Sequence, residues 1–346
     1  MTATTHTLTE ILSQPAIWRD ALDVIARRSP EIRAMWAQHR FEQLILTGCG
    51  STCYAALVGA ALIQQITGLP CRALSASELM LFPRREFSPQ RPTLLITVSR
   101  EGKTRETIEA ARLFRACGRG MTLAVTCTSE SVLAQEADFV LAIDTAREVS
   151  RAQTRSFSSM TLVLQALALL FAGQDALEPL AALPAHLERL AARYAPLVAD
   201  LGADLRLERF LFLGSGPLYG LACEAALKAL ETTLLPALAF HTLEYLHGPK
   251  YIVTERTLVV GLLTDDLLPE ERRAMDDAHQ RGATCLWISD RQDGLPAAGE
   301  RLFPISLETG LPLEARAILY LPLLQQIICR QSMARGLNPD LPGQRA

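Results

Sequence analysis

The sequence lacks the features that mark several large classes of protein. Its 34 Lys and Arg stand against 37 Asp and Glu, so we expect no basic surface for nucleic acid or an anionic membrane. The first residues lack the basic and then apolar segment of a signal peptide. The most apolar stretch, Thr161–Gly173, is too short to cross a bilayer and is predicted to be a core helix. We therefore expect a cytoplasmic protein that has neither nucleic acid nor membrane as a partner.

The usual motifs of metal and redox chemistry are also missing. The eight cysteines are scattered, several lie inside apolar runs, and none forms a Cys-x-x-Cys pair, which is typical of small buried thiols in a reducing compartment. Neither His-Glu-x-x-His nor Gly-x-Ser-x-Gly occurs, which argues against metal and serine hydrolases. We expect no metal and no cofactor.

Short apolar runs alternate with longer helical patterns along the 346 residues. That length suits two lobes of about 150 residues each. The alternation predicts an α/β fold of two similar, doubly wound parallel sheets with helices on both faces, as in flavodoxin. The predicted strands are Gln43–Thr47, Arg72–Ser75, Thr93–Val98, Thr122–Cys127, Phe139–Ile143, Arg209–Leu213, Thr257–Leu263, Thr284–Ser289 and Leu302–Ile305. The predicted helices are Ser51–Ile66, Thr104–Ala116, Ser131–Glu136, Thr154–Phe171, Leu218–Glu231, Glu270–Arg281 and Pro312–Ala334.

The two halves resemble each other. The run Leu44–Gly50 opens a helix of small residues, and Leu211–Gly216 does the same about 166 residues later. We interpret this as duplication of one unit, although two ordinary α/β domains could coincide in this way. The predicted domains are a helical segment (1–42), a first subdomain (43–175), a helical linker (176–206) and a second subdomain with a C-terminal helix and tail (207–346).

Two turns that follow strands and precede helices are candidates for phosphate binding. Glycines in Gly48–Cys53 let a backbone approach a ligand, and the helix dipole favours an anion. Ser99–Thr104 would reach the same crevice from a neighbouring strand. The alternatives are a glycine turn that serves geometry only and a capped turn with solvated charges. The candidate ligands are Gly50, Ser51, Thr52, Ser99, Arg100, Lys103 and Thr104.

Four ionisable residues of the second half are candidates for proton transfer. Glu224, Lys228 and Glu231 share one face of a predicted helix whose other residues carry little charge. They form either a solvated stripe or a set of buried groups kept for chemistry. His247 precedes Gly-Pro, a rigid turn that can present its ring, and a histidine suits proton transfer near neutral pH.

Five of these motifs, in order, resemble the sugar isomerase (SIS) family. The matching segments are Gly48-Cys-Gly-Ser-Thr, Ser99-Arg-Glu-Gly-Lys-Thr, Thr154-Arg-Ser-Phe, Glu224-Ala-Ala-Leu-Lys-Ala-Leu-Glu231 and Glu244-Tyr-Leu-His-Gly-Pro. The resemblance runs from about Leu44 to Pro342 and is closest to the isomerase half of glutamine–fructose-6-phosphate transaminase. It extends to the tagatose/galactosamine-phosphate isomerase–deaminases and to glucosamine-6-phosphate deaminases of this fold.

The resemblance implies a role for each matched residue. Thr52, Ser99, Glu101 and Thr104 would occupy phosphate-loop positions. Glu231 would carry the proton between C1 and C2 of a sugar phosphate, with Lys228 and Glu224 as its partners on the helix. His247 would open the sugar ring from the neighbouring subunit, which implies at least a homodimer. Lys228 would steady an oxyanion, with imine formation as the alternative.

Three departures from the family pattern shape the expected activity. The chain opens without the glutaminase domain of the transaminase, which favours isomerisation or deamination over synthesis. Glu101 stands where the family usually has serine, and a carboxylate repels a phosphate unless Arg100 or Lys103 neutralises it. The tail is shorter than the family tail that often contributes a lysine. The alternatives are a fructosamine-phosphate deglycase and a non-catalytic sugar-phosphate sensor.

Overall fold

The computed structural model describes residues 5–117, 119–175, 177–265, 269–293 and 295–344. Within them, ten strands form two sheets of five. The strands are β1 (Gln43–Gly48), β2 (Cys71–Ser75), β3 (Thr93–Ser99), β4 (Gly120–Thr126), β5 (Phe139–Ala142), β6 (Arg209–Gly214), β7 (Ala237–His241), β8 (Thr257–Leu262), β9 (Thr284–Ser289) and β10 (Leu302–Ser306).

Helices flank both sheets and connect their strands. They are α1 (His6–Leu12), α2 (Gln14–Gln38), α3 (Ser51–Thr67), α4 (Ala76–Leu81), α5 (Pro83–Glu86), α6 (Arg105–Cys117), α7 (Val132–Glu136), α8 (Arg155–Phe171), α9 (Leu177–Ala181), α10 (Leu183–Arg193), α11 (Ala195–Ala203), α12 (Pro217–Thr233), α13 (Pro269–Gln280), α14 (Leu313–Arg316) and α15 (Pro322–Ala334). Short 3₁₀ turns cover Asp144–Ala146, Glu244–His247, Pro249–Ile252 and Ala317–Tyr320. None of the described helices combines the length and apolar character required to cross a membrane.

Every strand pair in both sheets is parallel. The first sheet has the order β2-β1-β3-β4-β5, and the second has β10-β9-β8-β6-β7. Read from its other edge, the second order repeats the first, and both follow the doubly wound flavodoxin pattern. The predicted fold class is confirmed.

The chain divides into two compact units that interleave along the sequence. One contains Ser13–Glu148 and Arg155–Pro184, and the other contains Met1–Leu12, Val149–Thr154 and Ala185–Ala346. The first unit therefore carries β1–β5, and the second carries β6–β10. The domain boundaries suggested by the sequence, after residues 42, 175 and 206, stay a prediction.

The core of the first unit uses both faces of its sheet. Ile45 and Leu95 pack with buried residues of α4 and α6. Leu46, which points the other way, lies close to Gly59 of α3: a Cβ on that glycine would come within 2.8 Å of the leucine. Helix α8 packs against α2 and α3 and is buried along almost its whole length, which confirms the predicted core helix.

The second unit is built in the same way. Leu211, Val259 and Trp287 of its strands form a cluster with Ala274 and Met275 of α13. Helix α12 packs against β6 and β7 and also against α15. This arrangement holds α12, which carries three of the candidate catalytic residues, against the sheet.

Several elements differ from the sequence prediction: the short helices α4 and α5 were not predicted, and two further differences have a clear physical reason. The single helix predicted over Pro312–Ala334 is wrong: the segment contains α14, a 3₁₀ turn and α15, because Pro322 has no N–H to continue a helix and instead begins α15. Strand β7 was not predicted. It is a short edge strand of the sheet, and its alanines and preceding proline give little strand signal.

Candidate active site

The loop between β1 and α3 has the backbone of a tight strand-to-helix turn. Gly50, directly before α3, has a φ of 56°, which strains most side chains. At Gly48 the lack of space requires glycine, since a Cβ there would lie 2.5 Å from the Thr52 hydroxyl oxygen and 2.7 Å from the Thr52 carbonyl carbon. The turn therefore starts α3 at the carboxyl end of β1, where the helix dipole favours an anion.

The hydroxyl of Thr52 orders this loop. It accepts a hydrogen bond from the Cys49 N–H at 2.9 Å and donates one to the Cys49 carbonyl oxygen at 3.0 Å. Ser51 is 4% exposed at the start of the same helix. The phosphate-binding roles of Gly50, Ser51 and Thr52 stay a prediction, and for Thr52 the local bonds already explain the residue type.

The loop after β3 is organised by Ser99. Its Oγ accepts a hydrogen bond from the Gly102 N–H at 3.2 Å and lies 3.4 Å from the Thr104 hydroxyl. Strand β3 neighbours β1, with Thr97 paired to Thr47, so this loop and the Gly50 loop follow adjacent strands at the same edge of the first sheet. The two turns thus lie at the same edge of the sheet, and a common ligand crevice stays a prediction.

Charges in this second loop are paired with one another. Glu101 forms ion pairs with Arg100 at 3.1 Å and with Lys103. The hydrogen bond from Lys103, together with the charge of Arg100, holds the pKa of the Glu101 carboxyl below its ordinary value despite partial burial. Arg100 also lies 3.6 Å from the buried carboxylate of Glu148. The two cations of this loop are therefore paired with two carboxylates, and the four charges cancel. A bound anion would depend on hydrogen bonds from N–H groups and hydroxyls more than on attraction by a net positive charge.

Helix α12 brings three candidate catalytic residues into contact. Lys228 Nζ lies 3.4 Å from Glu224 Oε1 and donates a hydrogen bond to Glu231. The side chains of Glu224 and Lys228 are 0% and 5% exposed, whereas that of Glu231 is 29% exposed. This burial excludes the solvated stripe that the sequence left open. Glu231 is thus the member of the set that reaches solvent.

Burying these charges opposes folding. The ammonium of Lys228 and the two carboxylates lose hydration on burial, and their ion pairs offset only part of that free-energy cost. The three groups together keep a formal charge of −1. Such groups are often retained for chemistry. A lysine fixed against the exposed glutamate can bind a developing oxyanion next to the atom from which that glutamate removes a proton.

His247 ends the 3₁₀ turn that follows β7, and its side chain is exposed. The turn is anchored by Tyr245, which is buried and donates a hydrogen bond to Asp277 at 3.0 Å. Burial and the neighbouring Asp277 raise the pKa of Tyr245, which keeps its hydroxyl protonated as the donor. Gly248 follows with a φ of 134° and turns the chain into Pro249. His247 is therefore exposed on a turn between an anchored tyrosine and Gly-Pro, and its role in proton transfer stays a prediction.

Within the described part of the chain, His247 makes no hydrogen bond or ion pair with the α12 residues. The structure therefore brings together Glu224, Lys228 and Glu231 but does not join His247 to them. A contribution of His247 from a second copy of the chain stays a prediction.

Two residues that the sequence analysis did not select belong to these clusters. Glu148 lies beside Arg100 and accepts a hydrogen bond from the Ser156 hydroxyl. Gln325 of α15 is 2% exposed and lines a small cavity together with Lys228. No local pattern distinguishes either residue, because each meets its neighbours only through packing of distant segments.

Comparison with known proteins assigns the family. The SIS domain matches residues 39–170. The candidate D-galactosamine-6-phosphate deaminase AgaS of Streptomyces coelicolor is 32% identical over 366 residues, which cover 97% of this chain and 91% of that protein. The glutamine–fructose-6-phosphate aminotransferase (isomerizing) of Bordetella parapertussis is 28% identical over 347 residues; the match covers 96% of this chain but 56% of the aminotransferase.

A solved structure has the same fold. The C-terminal domain of glucosamine-fructose-6-phosphate aminotransferase from Francisella tularensis has a TM-score of 0.86, with 98% of this chain and 99% of that chain covered at 20% identity. The chain belongs to the sugar isomerase (SIS) family. The expected family membership is thereby confirmed, and the relatives include proteins named as sugar-phosphate isomerases and deaminases.

Proposed function

We propose that this chain is an enzyme that moves a proton between C2 and C1 of an amino-hexose 6-phosphate and releases ammonia. The observation that carries the proposal is the buried Lys228 held between Glu224 and the partly exposed Glu231. Deamination is favoured over plain isomerisation because the candidate deaminase AgaS of Streptomyces coelicolor matches over nearly the whole length of both chains.

The proposed reaction uses only groups that this chain supplies. His247 protonates the ring oxygen while the O1 hydroxyl releases its proton to solvent, and the open-chain aldehyde forms. Glu231 removes the C2 proton while Lys228 binds the oxyanion that develops at O1; O1 then takes up a proton from solvent, which yields an enolamine. Glu231 then returns the proton to C1, and the C2 imine is hydrolysed by one water to the ketose phosphate and ammonia. With a hydroxyl in place of the amine, the same proton transfer would give aldose–ketose isomerisation.

The loops after β1 and β3 are proposed to hold the phosphate. Ser51, Ser99 and Thr104 would supply hydroxyls, and the first turn of α3 would supply N–H groups. The ion pairs of Glu101 with Arg100 and Lys103, together with Glu148 beside Arg100, cancel the positive charge at this loop, so the phosphate would depend on the hydroxyls and N–H groups.

We propose a homodimer in which His247 completes the site of the other copy. Support comes from large apolar side chains exposed between residues 230 and 251, next to Glu231 and His247. They are Leu230, Leu234, Leu238, Leu243 and Tyr251.

The direct test is ammonia release from galactosamine 6-phosphate and glucosamine 6-phosphate, measured with a coupled glutamate dehydrogenase assay. Galactose 6-phosphate and tagatose 6-phosphate test plain isomerisation in parallel. We expect ammonia from at least one amino sugar phosphate. Absence of turnover on all four substrates would contradict the proposed function.

The variant that tests the proposed base is Glu231→Gln. We expect it to lower kcat by about 10²- to 10⁴-fold, the range for loss of a general base. Its thermal stabilisation by the same substrate should remain, because the amide keeps the size of the side chain. Turnover comparable with that of the unsubstituted chain would show that Glu231 is not the base.

A further inference from the structure

Gln325 of α15 has a buried amide whose orientation is set by chemistry. Its Nε2 donates a hydrogen bond to the Thr154 carbonyl oxygen at 3.3 Å. The flipped amide would place two oxygens against each other, so Oε1 must face away from Thr154. Gln325 is 2% exposed, and among the described residues its Oε1 has no hydrogen-bond partner. A buried oxygen in that state is costly and calls for a partner.

Gln325 lines a cavity of about 10 Å³ that Lys228 also lines. This volume is close to the minimum that accommodates one water molecule. Thr154 and Thr232 also line the cavity, and Thr232 donates its hydroxyl proton to the Lys228 carbonyl oxygen at 2.7 Å. The cavity is thus small and mostly apolar in its lining, so a water molecule in it would take its hydrogen bonds from Gln325 and Lys228.

We propose that one water molecule in this cavity links Gln325 Oε1 to the ammonium of Lys228, and that Gln325 is a positioning residue for that lysine. The proposal rests on the proposed function of α12. Lys228 has three N–H donors and faces two carboxylates from its own helix, Glu224 and Glu231. An acceptor from α15 would add a contact to the ammonium from a helix other than the one that carries the two carboxylates.

The physical benefit concerns Glu231 in particular. This carboxylate has to leave its ion pair with Lys228 in order to remove a proton from a substrate. A neutral acceptor behind the lysine keeps the ammonium in place and hydrogen-bonded at that moment. A misplaced oxyanion donor would lower the rate of the chemical step without weakening the binding of the sugar phosphate.

The kinetic test compares Gln325→Met, which keeps the volume but has no acceptor, with Gln325→Glu, which as a neutral acid keeps both a donor and an acceptor. We expect Gln325→Met to lower kcat about tenfold to a hundredfold with KM changed by less than about twofold. Gln325→Glu should recover part of that loss. Gln326→Met is the matched control, since Gln326 is the next residue of α15, is also buried and does not line the cavity.

The control variant should keep the kcat of the unsubstituted chain. Equal kcat for Gln325→Met and the unsubstituted chain would overturn the positioning role, and so would equal losses for Gln325→Met and Gln326→Met, which indicate general damage to α15. These outcomes differ from failure of the proposed function, in which the unsubstituted chain itself shows no turnover.

A crystal structure at high resolution tests the proposal independently of activity. We expect a water molecule within hydrogen-bonding distance of both Gln325 Oε1 and Lys228 Nζ, and no such water in Gln325→Met. A dry cavity in the unsubstituted chain, or a water that contacts only one of the two groups, would overturn the proposal even if the enzyme is active.

Discussion

Glu101 is the residue whose charge opposes the role proposed for its loop. Its carboxylate forms ion pairs with Arg100 and Lys103. These two cations are therefore less able to attract a phosphate. Arg100 is shared further with Glu148, so the loop is neutral before any ligand arrives. A dianionic ligand therefore has to displace one of these ion pairs or bind through N–H groups and hydroxyls.

Replacing this carboxylate tests that balance. We expect Glu101→Ser to tighten binding of inorganic phosphate about three- to tenfold, because Arg100 and Lys103 then act on the ligand, with some screening at this half-exposed site. Phosphate-dependent thermal stabilisation measures the change, and it should shrink at high salt. Glu109→Ser is the control, since Glu109 pairs with Arg112 on α6. Weaker phosphate binding in Glu101→Ser would mean that the carboxylate is needed to shape the loop.

At the scale of elements, α1 is fastened to the C-terminal segment by one carboxylate. Asp340 accepts hydrogen bonds from the His6 N–H at 3.0 Å, the Thr7 N–H at 2.7 Å and the Thr7 hydroxyl at 2.7 Å. Burial acts to raise the pKa of Asp340, but the hydrogen bonds from Thr7 and His6 outweigh it and leave the pKa below its ordinary value. The carboxylate also caps the first N–H groups of α1, which have no partners within the helix.

This pKa has a defined consequence for stability against pH. Because the folded pKa lies below the unfolded one, the stabilisation is complete above about pH 4 and is lost as the pH falls through the folded pKa. We expect Asp340→Asn to lower the free energy of unfolding by about 1 kcal/mol at pH 7 and to make it less dependent on pH in acid. Urea unfolding between pH 3 and 7 measures both effects.

The control for Asp340→Asn is Asp23→Asn, on the exposed side of α2. It should leave the free energy of unfolding and its pH dependence nearly unchanged. An equal acid dependence in Asp340→Asn and the unsubstituted chain would show that the three hydrogen bonds do not stabilise the fold.

At the scale of the whole molecule, we propose that a second copy of the chain completes the site. Glu231 and His247 belong to the same unit, and among the described residues no hydrogen bond or ion pair joins them. Large apolar side chains near them in the sequence are exposed. Strand β7 is an edge strand of the second sheet, and its Leu238 is also exposed. A two-fold pairing would cover these side chains and exchange the histidines between copies.

Complementation distinguishes an exchanged histidine from one that acts within its own chain. Glu231→Gln and His247→Ala should each be nearly inactive toward cyclic substrates. When equal amounts of the two variants reassociate at random, about half of the dimers contain one chain of each. One of the two sites in such a hybrid combines an intact Glu231 with an intact His247. Activity should therefore recover to about a quarter of the original. A mixture that stays inactive, although exchange of subunits is verified by mass spectrometry, would contradict the exchange.

Several features of this protein follow from its sequence alone. The periods of its apolar residues predict nine of the ten described strands, and the glycine turns after β1 and β6 indicate a repeated unit. The motifs that lead to the SIS family are also local, since each is a short segment whose residue types match a turn or one face of a helix. Such features can be predicted from the sequence because they depend on residues only a few positions apart in the chain.

Only the tertiary structure decided what surrounds those motifs. The stripe of Glu224, Lys228 and Glu231 has the same spacing whether it is solvated or buried. Packing of α12 against β6, β7 and α15 buries Glu224 and Lys228 and leaves Glu231 partly exposed. Likewise, Glu148 reaches Arg100, and Gln325 reaches the cavity beside Lys228, from segments far along the chain. Burial and ion pairing depend on such long-range contacts, which local periodicity does not encode.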